Sequence, residues 1–159
     1  MNTNAELRAN WRRDWLFCIY EFASIKLQRM SWIKGPSANW PNNKQWCSHF
    51  SECYCTYFDD LVLNNEQGGY AACVKEGLVS QEEANLATKF HEMADNYTEP
   101  SDEHEDILSD PKWHKVTNSA SQLWHNLKEV FTSEYDMNTV KELETTYGEI
   151  TNEKRDKSE

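Results

Sequence analysis

Across the twenty-two residues from Phe90 to Pro111 there is no lysine or arginine, while Glu92, Asp95, Glu99, Asp102, Glu103, Glu105, Asp106 and Asp110 all occur there. The whole chain of 159 residues is short of positive charge, with 16 Lys plus Arg against 27 Asp plus Glu and a net charge of −11. Nucleic-acid binders and peripheral membrane proteins need basic surface to meet phosphate, so the composition argues against both classes. Long apolar runs are also missing. The densest, Trp15 to Tyr20, is closed by Asp14 and Glu21, far below the roughly 20 residues of a membrane-spanning helix. The N-terminus lacks the basic, apolar and small-residue succession of a secretory signal. Five cysteines, an odd number without regular spacing, fit reduced thiols, and the expected compartment is the cytoplasm.

Motifs of chemistry are equally scarce. The chain has no phosphate-cradling glycine loop, nucleophile elbow or dinucleotide fingerprint. Cys47, His49, Cys53 and Cys55 invite a zinc reading because thiolate and imidazole are its preferred ligands. On a helix, however, Cys53 and Cys55 point about 200° apart and cannot reach one ion. His91-Glu92-Met93-Ala94-Asp95 resembles the metalloprotease helix motif, but Asp stands where that motif needs its second histidine ligand. The bland alternative is an acidic helix surface. His114 and His125 each follow a tryptophan, and a core-boundary position explains both. The expectation is a protein without catalytic residues, metal or cofactor.

What the chain does have is helical periodicity. Leu7, Trp11, Trp15, Cys18, Phe22, Ile25 and Arg29 recur at steps of three and four, which predicts a helix over 4–31 that is buried nearly all round at its middle. A second helix is expected over 42–64 and a short one over 70–76. Ser80-Gln81-Glu82-Glu83 has the form of a capping box and should start a helix that ends before Pro100. Residues 101–106 read as an exposed loop. Asp110-Pro111 supplies an N-cap and a first-turn proline for a helix carrying Trp113, Val116, Ala120, Leu123, Leu127 and Val130 to about residue 135. No stretch alternates as a strand does. The fold class expected is all-α, a single-domain bundle of five to six helices over 1–135, followed over 136–159 by a marginal helix and a frayed tail.

Counting charge by segment localises the acidity. Residues 1–35 hold six basic and three acidic side chains, residues 36–110 three and fifteen, and residues 111–159 seven and nine. The negative charge thus belongs to the middle of the chain. It has a bland reading, a solvated loop that keeps the protein soluble. A one-signed cluster also raises the encounter rate with an oppositely charged partner, and Asp59, Asp60 and Glu66 could extend such a face.

The string Glu76-Gly77-Leu78-Val79-Ser80-Gln81-Glu82-Glu83-Ala84, with Phe90-His91, Tyr97, Pro100 and Ile107-Leu108-Ser109-Asp110-Pro111-Lys112-Trp113, resembles the small acidic helical immunity proteins of bacterial contact-dependent growth inhibition and related polymorphic toxin systems. The likeness spans about residues 40–130. It implies a cytoplasmic protein that binds one cognate toxin domain, often a basic nuclease, and blocks its active site. On that reading Glu92, Asp95, Glu99, Asp102, Glu103, Glu105 and Asp106, with Asp59 and Asp60, form the partner-binding set, and Trp40 or Tyr97 supplies a buried anchor. Two other readings stand beside it: a phage-type DNA mimic that inhibits a nuclease, and a helical metal-binding enzyme.

Overall fold

A computed structural model describes residues 4–151 and is all-helical. Eight α-helices follow in order: α1 (Asn4–Ala23), α2 (Ile25–Gln28), α3 (Phe50–Tyr54), α4 (Gly69–Lys75), α5 (Gln81–Asn96), α6 (His104–Leu108), α7 (Pro111–Val130) and α8 (Glu134–Tyr147). The class matches the sequence reading, and the number of helices exceeds it. No described helix is long and apolar enough to cross a membrane.

The extra helices arise where one long element was expected. The helix predicted over 4–31 is cut at Ser24, which leaves helical geometry (φ −112°, ψ 97°) and caps α2 by accepting from the amide of Leu27 at 3.0 Å. Neither Gly nor Pro marks the break. It is stabilised by a side chain of the next turn, because the Gln28 amide donates to the carbonyls of Glu21 (2.7 Å) and Phe22 (3.0 Å) that the break exposes. The chain then continues as a π-helical turn, Arg29–Lys34. Similarly, the helix expected over 42–64 starts only at Phe50. Asn42 and Asn43 take positive φ, the chain runs without regular structure to His49, and the His49 ring then accepts from the amide of Glu52 as an N-cap. A second π-helical stretch, Cys55–Asp60, follows α3.

Two local signals are met as expected. The capping box of α5 is complete, with the Glu83 amide on Ser80 Oγ (3.0 Å) and the Ser80 amide on Glu83 Oε1 (2.8 Å). Asp110 caps α7 through the amide of Lys112 at 3.0 Å. Other expectations are corrected. The loop assigned to 101–106 turns into α6, because Ile107 and Leu108 bury fully and draw the preceding acidic residues into a turn. α7 stops at Val130, where Phe131 becomes extended. The boundary drawn at 135 falls inside α8, which is no marginal helix: Asp136, Thr139, Val140 and Leu143 are buried. Of the expected tail, Ile150 is also buried, Tyr20 donates to the carbonyl of Gly148, and residues 152–159 lie outside the described residues.

α1 occupies the middle, packed on α7 and α8, while α5 packs on α7 and meets α1 through Phe22–Phe90 and Arg12–Glu83. Trp15, Leu16, Ile19, Tyr20 and Phe22 of α1 are wholly excluded from solvent, as are Trp113 and Trp124 of α7 and Phe90 of α5. Each such side chain contributes roughly 1.5–3 kcal/mol of transfer free energy. Trp113 is the hub of the aromatic layer, with Phe22, Trp32, Phe50, Tyr54 and Tyr97 around it, and its indole N–H donates to Gln28 Oε1 at 2.9 Å. Gln28 therefore links the break after α1 to the first turn of α7.

Candidate functional site

The carboxylates named from the sequence sit on the C-terminal half of α5, the connection that follows it, and α6. Glu92, Asp95, Glu99, Asp102, Glu103, Glu105 and Asp106 are all exposed. Their backbone is held in place from below. Phe50 contacts Tyr97, the Tyr54 hydroxyl donates to the carbonyl of Ala94 at 2.8 Å, and Phe58 meets His91, so the segment 50–60 runs antiparallel to α5. At the far end, His104 bridges the carbonyl of Trp32 (3.1 Å) and the amide of Phe50 (3.4 Å). The amide must donate, so Nε2 accepts and Nδ1 carries the proton. Ser101 Oγ donates to Asp106 at 2.7 Å and accepts from the Glu103 amide at 3.0 Å, which fixes the turn into α6.

Two buried groups show which carboxylates share a side. The Tyr54 hydroxyl is pushed well above its ordinary value, first by burial and then by nearby acids that include Glu99 and Asp95. His91 is held below the usual imidazole value, because burial outweighs the opposing fields of Asp95 and Glu92. Asp95 and Glu99 therefore lie together over the Tyr54–Phe58–His91 layer, and Glu92 stands at its edge toward α7. Asp60 belongs elsewhere: with Glu21 and Asp14 it raises the Cys18 thiol of α1, again after burial. Asp59 and Asp60, both exposed, close the segment 50–60 at the end opposite Glu99. Among the described residues the ion pair made by this stretch is Arg29 with Glu105, 3.8 Å apart with both side chains half or more exposed, a pair that adds little in water.

The two aromatic anchors are placed differently from the sequence expectation. Trp40 is 8% exposed, and its indole N–H donates to the carbonyl of Gly35 at 2.8 Å, so it is a structural plug and offers a partner almost nothing. Tyr97 is half-buried between Phe50 and Trp113, and its hydroxyl donates to Asp110 Oδ2 at 2.8 Å. It ties the end of α5 to the start of α7 and shows only an edge to solvent.

The motif-like histidine is also committed inside the fold. The arrangement Trp15 N–H to Tyr70 (2.9 Å), Tyr70 to Tyr57 (2.7 Å), Tyr57 to His91 Nδ1 (3.0 Å) and His91 Nε2 to Asn65 Oδ1 (3.1 Å) makes one chain of donors ending at the surface. Every donor finds an acceptor when His91 is neutral with its proton on Nε2. Gly69 is required beside it, since its φ is +54° and a Cβ there would lie 3.1 Å from Asn65 Oδ1. Glu92, the neighbour, points away into solvent. Of the cysteine cluster, Cys53 is buried whereas Cys47 and Cys55 are exposed, and among the described residues no three His, Cys, Asp or Glu side chains gather as metal ligands would.

Sequence reasoning missed a second surface feature. On the flank of α5 that faces α7 lies a groove of about 490 Å³, with Leu86, Phe90, Met93 and Leu123 in its floor and Lys89 and Lys115 at its margins. A continuation of about 470 Å³ toward Tyr97 and Thr98 adds Lys112 and one carboxylate, Glu92. The signal was present: Lys89 is the last cation before the gap in positive charge, and Lys112 and Lys115, three apart, are the first after it. Comparison with family models, with curated proteins and with solved structures found no match to this chain.

Proposed function

We propose that the protein acts by binding rather than by chemistry, as an inhibitor of the immunity type that neutralises a basic toxin domain through its acidic surface. One observation carries the reading: seven carboxylates from Glu92 to Asp106 are solvent-exposed on a backbone pinned by Tyr54, His104, Ser101 and Tyr97. A pre-ordered anionic surface lowers the entropic cost of docking and speeds encounter with a cationic partner. A nuclease active site is such a partner, since it must be positive to hold phosphate. The resemblance to immunity proteins of contact-dependent growth inhibition points the same way. A phage-type DNA mimic would need its carboxylates spread over a long surface, and residues 1–35 are net positive, which favours the compact docking face.

The test is association kinetics with a basic nuclease toxin domain encoded beside this chain. Replacing Asp102 and Asp106 by Asn and Glu103 and Glu105 by Gln should slow association and flatten its dependence on salt. Unchanged kinetics would remove this segment from the interface.

A further inference from the structure

The groove between α5 and α7 has the opposite character from the rest of the middle of the chain. It is lined along α5 from Asn85 to Asn96 and along α7 from Lys112 to Asn126, a length of roughly 17–21 Å at 1.5 Å per residue. Leu86 and Met93 are only half-buried on its floor, so carbon surface is left open there. Lys89, Lys112 and Lys115 are exposed along it, and none has a side-chain partner among the described residues. Three free cations face a single carboxylate, Glu92, in a molecule of net charge −11.

We infer that this groove is a second docking site, built for an acidic amphipathic helix of a partner protein. Three features select that occupant. The length matches three to four helical turns, which present apolar side chains at i, i+3, i+4 and i+7 to such a groove. The open floor accepts those side chains. The lysines flank the floor and complement carboxylates on the sides of the incoming helix, while a basic or neutral helix would leave them unpaired. The site borders the acidic face at Glu92, which belongs to both, while Asp95 and Glu99 lie over Tyr54 and His91, so a basic domain docked there leaves Lys89, Lys112 and Lys115 for an acidic segment.

The experiment uses the full chain and a fluorescein-labelled peptide of about four turns, with Leu and Met along one stripe and Glu along both flanks. Fluorescence anisotropy should show binding that weakens with salt and falls by at least about tenfold in the Lys89→Glu, Lys115→Glu variant, both positions being exposed. Met93→Asp, in the floor, should weaken it independently. The same peptide with its stripe scrambled, or with Lys for Glu, should not bind. The inference is overturned if the acidic peptide fails to bind, if the Lys peptide binds equally, or if charge reversal leaves the affinity unchanged. Sedimentation of the protein alone adds a second readout: a monomer supports a groove free for a partner, whereas self-association abolished by Lys89→Glu, Lys115→Glu would assign the groove to another copy of the chain and overturn the proposal.

Discussion

Arg12 donates two hydrogen bonds inside the protein to Asp136, 124 positions away in the chain, Nε to Oδ1 at 3.1 Å and Nη2 to Oδ2 at 2.9 Å. The same guanidinium grips Glu83 with both terminal nitrogens, at 2.9 and 2.7 Å, and donates to the carbonyl of Leu78. All three charged side chains are buried, and Trp15 and Phe131 flank the guanidinium. The cluster joins α1, α5 and α8 through the capping-box glutamate. Its balance also explains why α8 is firmly attached despite few apolar residues.

Removing the cation leaves two buried carboxylates unpaired, which costs about 3–5 kcal/mol. Arg12→Met should lower the urea-unfolding free energy by that order, and adding Glu83→Gln and Asp136→Asn should restore part of it. For Glu83, burial alone would raise the pKa, but Arg12 and the Ser80 amide overcome it and hold the group below the usual carboxylate value. Stability from this site is therefore present above about pH 4.3 and lost as pH falls through the lower folded value. A triple variant that unfolds as readily as Arg12→Met alone would contradict the assignment.

A second pH dependence lies higher. His91 in the folded state resists protonation because it is buried and accepts from Tyr57. The unfolded chain takes up that proton near pH 6.5, so stability should decline as pH falls below this point and level off below the folded value. Replacing the ring by an uncharged side chain that can still donate and accept, His91→Gln, should flatten the profile between neutrality and pH 5. Urea midpoints across that range read the effect directly, and an identical slope in the variant would rule His91 out as its source.

Trp113 should be the least replaceable residue of the core. Trp113→Ala removes the hub of the aromatic layer and leaves Gln28 Oε1 without its donor, at a cost of about 3–5 kcal/mol. Phe would keep ring contacts but not the hydrogen bond, so Trp113→Phe should fall between. If Trp113→Phe melts at the same temperature as the unaltered protein, the hydrogen bond to Gln28 contributes nothing beyond packing.

The thiols offer an inexpensive check of burial. Cys47 and Cys55 are exposed, while Cys18, Cys53 and Cys73 are buried. Burial, aided by Glu76, also pushes the Cys73 thiol up to about 11, far from the reactive thiolate range. Ellman's reagent should titrate two thiols in the native protein and five in denaturant. Rapid reaction of a third thiol under native conditions would place one of the buried cysteines at the surface.

Periodicity alone determined that this chain is helical, that the middle of α1 is buried on all sides, and where α5 and α7 begin, because those features follow from spacing and from caps made within one turn. It also placed the exposed carboxylates of 92–106, since ionised groups with no cation beside them in the sequence stay in water. The tertiary structure decided the rest. Ser24 ends α1 only because Gln28 and Trp113 absorb the polar groups released there. α6 forms because Ile107 and Leu108 find a place beneath it, Trp40 closes on the carbonyl of Gly35, and His91 joins Tyr57, Tyr70 and Asn65 from three different segments. Likewise, the lysine-lined groove exists only once α5 and α7 lie side by side. A sequence reports which side chains want burial or water; which distant groups will satisfy them is settled when the chain closes.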